Sequence, residues 1–220
     1  MLGHVVLVGS ILTGTRGFDW VATKLEEYFI AQPTVVVIFL LFFLHAAFAV
    51  RKVPSQLRER RKMIALAKGL KTPVQETAPG HEESGLARKH LESALWIWQV
   101  RTGMVILVLG GFHIIFIGID VLTPLFGERH GIEAATTLAR ERAGLWILYS
   151  VLMVCVSFHT AVGLYRLSVK WGGGARLSRQ SLVWIEHAIL WSMLGLGALT
   201  LAVMAGLIPP PLAGLIGPGP

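Results

Sequence analysis

The sequence predicts an all-α integral membrane protein, a bundle of five transmembrane helices. Of the 220 residues, 54% are hydrophobic and only 15% are charged, whereas soluble domains carry about 25% charged residues. The mean hydropathy is +0.63. Four apolar stretches approach or exceed the ~20 residues that cross a bilayer. This composition excludes a disordered chain and an ordinary cytosolic enzyme. The single cysteine, Cys155, excludes a disulfide scaffold.

The expected helices span, in chain order, about residues 1–14, 33–51, 94–119, 143–166 and 182–208. Together they form one transmembrane domain over residues 1–220. The first stretch is too short to cross a membrane alone, and it lacks the basic residues that open a signal peptide. We therefore expect it to be the outer part of a helix whose first turns are missing or lie upstream of Met1.

Basic residues concentrate in two connections between these helices. Residues 51–93 contain ten Lys or Arg and residues 165–181 contain four, while residues 15–32 and 120–142 contain more acids than bases. The positive-inside rule places the two basic connections, the loop 52–93 among them, in the cytoplasm. The net charge of +7 is therefore a sign of topology, and no nucleic-acid partner is expected. The flank 55–70 reads as an interfacial helix or, equally, as a docking surface for a soluble partner.

Four histidines fall into two layers. An ionisable side chain inside a membrane span is costly and usually has a partner or a function. His45 and His159 lie six and seven residues before a cation at the inner ends of the second and fourth helices. Both therefore sit roughly 10 Å inside the cytoplasmic boundary. His4 and His113 share the outer half, so each layer has one histidine from each of two helices.

Two imidazoles at one depth suit a haem bound on both axial positions between facing helices. Without a Cys-x-x-Cys-His motif, two such haems would be non-covalent haem b. Glycines near these histidines would let a flat cofactor approach the backbone, although ordinary helix packing explains them equally; they are Gly3, Gly110, Gly111 and Gly163. Four unrelated hydrogen-bonded histidines remain an alternative, and the lack of adjacent carboxylates disfavours a di-metal site.

The other histidines are expected to have simpler roles. His187 lies beside Glu186 and has no partner of equal depth, so we expect a structural or hydrogen-bonding role for it. His81, His90 and His130 lie in connections or at a helix start and are expected to be solvated.

At these residues the chain resembles the single-chain, five-helix, dihaem cytochrome b subunit of quinol:fumarate reductases and succinate:quinone reductases. The resemblance is strongest over residues 159–172, His-Thr-Ala-Val-Gly-Leu-Tyr-Arg-Leu-Ser-Val-Lys-Trp-Gly. It extends to Leu44-His45-Ala46 with Arg51-Lys52-Val53-Pro54, to Met1-Leu2-Gly3-His4 with Ser10-Ile11-Leu12, and to Gly111-Phe112-His113. It covers nearly the whole chain and is weakest over 70–85, 120–142 and the C-terminal tail.

The resemblance implies a haem in each layer. His45 and His159 would hold a proximal haem near the cytoplasm, and His4 and His113 a distal haem. By the same resemblance, two residues would contact a propionate of the proximal haem, namely Trp96 and Lys170. An indole N–H or an ammonium is a suitable donor to a carboxylate, although Trp96 alone could be an interfacial aromatic anchor.

The resemblance also identifies Glu26 as the base that accepts protons from menaquinol near the distal haem, whereas Glu26 taken alone reads as a solvated charge. Electrons would pass through both haems to an iron–sulfur subunit and an FAD flavoprotein on the cytoplasmic side of the bacterial inner membrane. They would reduce fumarate or, in reverse, come from succinate. The chain would be the quinone-reactive subunit, inactive alone on either dicarboxylate, and a dimer of complexes is compatible with this. The alternatives are a dihaem subunit of another respiratory complex, such as hydrogenase or formate dehydrogenase, and a haem-free anchor or transporter.

Two departures from the family pattern matter. Many fumarate-reducing members have a glutamate two residues before the last haem ligand, thought to carry protons across, and here that position is Ser157. We therefore expect turnover to be electrogenic, or to run largely as succinate oxidation driven by the membrane potential. The family also has a cytoplasmic segment and further helical turns before the equivalent of Met1, so the first helix is expected to be short.

Overall fold

The computed structural model of the chain describes residues 2–69, 82–122, 133–171 and 177–215. Within these ranges the regular structure is entirely helical, which confirms the predicted all-α class. The α-helices are α1 (Leu2–Gly9), α2 (Thr15–Glu27), α3 (Ala31–Gly69), α4 (Glu82–Val105), α5 (Gly111–Leu122), α6 (Ala134–Arg140), α7 (Trp146–Lys170) and α8 (Arg179–Met204). Short 3-10 helices cover Ser10–Thr13 and Ala213–Leu215.

Four helical segments in the described ranges are long and apolar enough to cross a membrane. They are Pro33–Glu59, Ala94–Asp120, Ala134–Lys170 and Arg179–Met204, and a shorter apolar helix covers Gly3–Thr13. These segments match the five expected helices in order. The chain is therefore a multi-pass membrane protein.

The flank 55–70 of the connection 52–93 is helical over 55–69, as expected, but it continues the preceding span without a break. Helix α3 continues past Pro54 to Gly69, and α4 begins at Glu82. Proline disfavours a helix interior because it lacks a backbone donor. The residues after it are mainly Arg, Lys, Leu and Ala, which are strong helix formers, and this composition explains why the helix continues. Residues 70–81 lie outside the described ranges.

Contacts divide the chain into two compact units, Met1–Thr34 with Arg101–Pro220, and Val35–Val100. The prediction of a single domain stays a prediction. The first unit has a core of apolar side chains from α2, α6 and α8 and from the 3-10 helix between α1 and α2, formed by Ile11, Leu12, Phe18, Ala134, Val203 and Met204. This core joins both ends of the first unit's sequence.

The connection 15–32 contains a helix, which was not predicted. Gly14, at φ 96°, turns the chain from the first apolar helix into α2. Phe18 is then 1% exposed, and the Asp19 Oδ1 accepts a hydrogen bond of 2.7 Å from the backbone N–H of Ala134. That N–H is one of the unpaired donors at the start of α6. Asp19 thus fastens α2 to α6.

The span that contains α6 and α7 begins at Ala134, earlier than residue 143, where the fourth of the five expected helices was to start. Helices α6 and α7 are joined by a π-helical turn over Glu141–Leu145, in which Gly144 has a φ of 104°. A positive φ is readily adopted by glycine. A second π-helical turn, Ile106–Gly110, joins α4 to α5. Arg140 and Glu141 were expected in an outer loop. They lie within these helical segments instead.

Candidate functional site

His4 on α1 and His113 on α5 lie next to each other in the first unit. Their ring centroids are 6.2 Å apart, and the ring planes are inclined by 70°. The other side of His113 meets Tyr149 on α7, edge to face, with centroids 5.4 Å apart. The Nδ1 of His113 is buried and has no hydrogen-bond partner among the residues that the structure describes. The outer pair expected from depth alone is thus brought together.

This geometry fits a haem held by two imidazoles. Two imidazoles bonded to one metal ion from opposite sides, each at about 2 Å, have ring centroids about 6 Å apart. The backbone beside each ring also leaves room, because a Cβ added at Gly3 or Gly111 would meet no atom beyond its own helix within 4 Å. A flat macrocycle requires such open backbone. The buried Nδ1 of His113 has no hydrogen-bond partner in the described part of the chain, so it is available to bond to a group that binds at this site.

Three charged residues of the first unit are buried. Arg140 Nη1 lies 3.1 Å from Asp120 Oδ2, with the two side chains only 3% and 1% exposed. Neither Asp120 oxygen accepts a well-directed hydrogen bond in the described part of the chain, so the charges rather than a directed bond hold this pair. Glu141 is 2% exposed, and both its carboxyl oxygens are buried without a partner there.

These residues were not among the site residues predicted from the sequence. Asp120, Arg140 and Glu141 were counted among the charges of an outer loop, and the structure corrects that placement. Tyr149 was not singled out either, although a tyrosine inside an apolar span is a polar group that needs a partner. The 20-residue separation of Asp120 and Arg140 follows no helical period, so the sequence offered no sign of their pairing.

His159 lies on α7 and packs against α4 within the first unit. A Cβ added at Gly103 would lie 2.9 Å from His159 Cε1 and 3.3 Å from its Nδ1. The Oγ1 of Thr102 lies 3.5 Å from the same Nδ1. Lys170 is exposed at the last position of α7.

The other residues expected at the inner haem belong to the second unit. His45 is exposed on α3, and Trp96 is half-buried on α4. The pairing of His45 with His159, and the role of Trp96 and Lys170 at a propionate, stay predictions.

Glu26 is exposed in the last turn of α2. That helix ends in a turn closed by two backbone bonds, Ile30 N–H to Leu25 O at 2.9 Å and Phe29 N–H to Glu26 O at 3.0 Å. Phe29 has a φ of 53°, which is uncommon for a residue with a side chain. The neighbouring Lys24 and Glu27 form an ion pair. The structure thus gives Glu26 direct access to the surroundings of the protein.

The structure also shows the surroundings of two other residues that the sequence analysis singled out, His187 and Ser157. His187 Nδ1 lies 2.9 Å from the carbonyl oxygen of Val183 and 2.8 Å from Glu186 Oε2, which agrees with a hydrogen-bonding role. Ser157 is 2% exposed on α7. His81 and His130 fall outside the described residues, and His90 lies on α4.

Comparison with known proteins gives the family. Residues 75–205 match the family model described as succinate dehydrogenase/fumarate reductase transmembrane subunit. The chain is 31% identical over 180 residues to the fumarate reductase cytochrome b subunit of Wolinella succinogenes, covering 78% of this chain and 60% of that protein. It is 28% identical over 208 residues to the Helicobacter pylori protein of the same name, covering 91% of this chain and 72% of the relative. The chain belongs to the succinate dehydrogenase/fumarate reductase transmembrane subunit family.

Proposed function

We propose that the chain is the cytochrome b membrane subunit of a fumarate reductase or succinate dehydrogenase complex. It carries electrons between menaquinol and the soluble subunits through two haems b. The observation that carries this proposal is the pair of His4 and His113, 6.2 Å apart within an apolar helical unit. Haem b, when bound, supplies one-electron transfer at a potential set by its ligands and surroundings.

Each haem has two protein ligands in this proposal. His4 and His113 hold the outer haem, and the contact of Tyr149 with His113 keeps that ring oriented. His45 and His159 hold the inner haem. Their similar sequence distances from the inner cation belt, six and seven residues, support this second pairing.

Two further residues bind the carboxylates of the inner haem. Trp96 contributes an indole N–H donor and Lys170 an ammonium. Lys170 is exposed at the end of α7, where the span ends, which suits a group that bonds a propionate at the membrane boundary.

Glu26 is the proton acceptor for quinol oxidation. Oxidation of one quinol releases two protons and two electrons, so a base is needed where the quinol hydroxyls bind. Glu26 is exposed at the end of α2, from where it can pass protons to water. In the reverse direction the same carboxyl donates protons to the reduced quinone.

The soluble partners are an iron–sulfur subunit and an FAD flavoprotein on the cytoplasmic side of the bacterial inner membrane. The excess of Lys and Arg in residues 51–93 and 165–181 supports this side. That flavoprotein would supply the reduction of fumarate or the oxidation of succinate. A dimer of such complexes is compatible with the proposal.

Purification of the native complex through a tag on this chain tests the proposal. We expect flavin and iron–sulfur subunits to co-purify, b-type bands in the reduced-minus-oxidised spectrum, and two haems per chain. An absence of b-type bands would show a haem-free anchor or transporter instead. Co-purification of a hydrogenase or formate dehydrogenase would move the chain to another respiratory complex.

A further inference from the structure

The imidazole of His159 lies against a glycine of a neighbouring helix. An added Cβ at Gly103 would come within 2.9 Å of the ring carbon Cε1 and 3.3 Å of Nδ1, well inside ordinary contact distance. An imidazole ring is rigid, so the whole side chain would have to move. The absence of a side chain at Gly103 therefore gives the ring of His159 its place between α7 and α4.

The residue before this glycine meets the same ring with a hydroxyl. Thr102 Oγ1 lies 3.5 Å from His159 Nδ1, a long hydrogen-bond distance. A neutral imidazole that binds a metal through one nitrogen carries its proton on the other. In the tautomer that binds a metal through Nε2, Nδ1 carries the proton and donates to the Thr102 hydroxyl oxygen.

We propose that Gly103 and Thr102 are positioning residues for His159 as an axial ligand of the inner haem, Gly103 by fixing the ring plane and Thr102 by fixing the tautomer and donor strength. This rests on the proposed function, which makes His159 a haem ligand. Groups that bond to the outer nitrogen of a ligating histidine orient its ring and raise its basicity. A more basic ligand stabilises ferric iron, so the Thr102 contact lowers the reduction potential of the inner haem.

Gly197 on α8 offers a matched control for Gly103. A Cβ there would meet Met153 of α7 at 2.6 Å from Sδ and 2.7 Å from Cγ. Methionine has three rotatable side-chain bonds and adapts to such intrusions, whereas the imidazole cannot change shape. Both substitutions add one methyl group to a helix contact with α7, and only one of them meets a proposed ligand.

The first experiment uses Thr102→Val and Thr102→Ser in the purified complex. Redox titration of the two b haems and EPR of the low-spin ferric state are the readouts. We expect Thr102→Val to raise the inner-haem potential and leave the outer haem unchanged, and Thr102→Ser to restore the wild-type potential. Loss of inner haem to apomyoglobin should become about 10-fold or more faster in Thr102→Val. Wild-type potentials and haem retention in Thr102→Val would overturn the role of Thr102.

The second experiment compares Gly103→Ala with Gly197→Ala. The g-values of a low-spin ferric haem depend on the angle between its two imidazole planes, so displacement of His159 changes them. We expect a changed or missing inner-haem signal in Gly103→Ala and the wild-type spectrum in Gly197→Ala. A wild-type inner signal in Gly103→Ala would overturn the role of Gly103. If Gly103→Ala does not assemble, the Thr102 variants decide the proposal.

His159→Ala separates this proposal from the proposed function. If His159→Ala keeps both haems, the ligand assignment itself is wrong. If it loses one haem while the Thr102 and Gly103 variants keep wild-type potentials and g-values, only the positioning role is wrong.

Discussion

Asp120 on α5 and Arg140 on α6 form an ion pair that is almost completely shielded from the surroundings, with 3.1 Å between Oδ2 and Nη1. Arg140 also donates to Thr136 O at 3.3 Å and to Thr137 Oγ1 at 3.1 Å. The pair ties the end of the second long span to the beginning of the third, so these two charged residues form part of the helical body.

Breaking this pair from one side should be costly. Arg140→Met leaves the Asp120 carboxylate buried without its cation, which typically costs about 3–5 kcal/mol. We expect the free energy of unfolding in an SDS titration to fall by that order. The double variant Asp120→Leu, Arg140→Met should be closer to the wild type, because no charge is left unpaired. Arg142→Met, the exposed neighbour, is the control, and an Arg140→Met result equal to it would contradict the prediction.

Glu141 should respond in the opposite way. Its carboxyl is buried without a partner in the described chain, and an unsatisfied buried polar group costs about 1–3 kcal/mol. Glu141→Met keeps the length of the side chain and removes that cost. The same SDS titration should therefore show equal or greater stability. A loss as large as that of Arg140→Met would mean that Glu141 has a partner in the assembled complex.

Asp19 should stabilise the start of α6 through its acceptor oxygen. Asp19→Ala leaves the Ala134 N–H without its partner, and loss of such a cap costs about 0.5–2 kcal/mol. Asp19→Asn keeps an oxygen at the same place and should lose much less. Hydrogen exchange over residues 134–140 measures this locally. Equal exchange rates in Asp19→Ala and the wild type would show that the contact does not stabilise α6.

Much of the fold could be predicted because apolar length is visible in a sequence. The spans and the pair of His4 and His113 follow from run lengths and from distances to the helix ends. Helix α2 was missed, although Phe18 and Ala22, both buried and four residues apart, are the periodic trace that it leaves. The pairing of His45 with His159 remains a prediction from depth and from the family resemblance.

The contacts of the site could not be predicted. The Asp120–Arg140 pair, the Gly103–His159 contact and the bond from Asp19 to Ala134 join residues on different helices. The packing of helices selects such partners, and local periodicity carries no information about it. The continuation of α3 past Pro54 shows the reverse case, in which helix propensity on both sides outweighs one breaker.

Replacement of Glu26 tests the proton-accepting role. A positioned general base typically contributes about 10²–10⁴-fold to rate. We expect Glu26→Gln to slow menaquinol oxidation by the purified complex by that order while both haems stay bound. Glu27→Gln, on the same exposed turn, is the control. Wild-type quinol oxidation in Glu26→Gln would remove this role.

Because position 157 is a serine, we expect turnover to move net charge across the membrane. Ser157 is buried on α7, at the position where the family resemblance led us to expect a glutamate, and a serine hydroxyl does not take up a proton near neutral pH as a carboxylate does. We expect the complex in liposomes to generate or consume a membrane potential, as reported by a potential-sensitive dye. Electroneutral turnover in both directions would contradict this expectation.

The most direct measurement is the reduced-minus-oxidised spectrum, with redox titration, of the complexes carrying His4→Ala, His113→Ala, His45→Ala or His159→Ala. We expect His4→Ala and His113→Ala to lose the same haem and to keep the other. We expect His45→Ala and His159→Ala to lose the haem that the first two variants retain. Loss of different haems by His4→Ala and His113→Ala, or full retention of both haems in either variant, would contradict it.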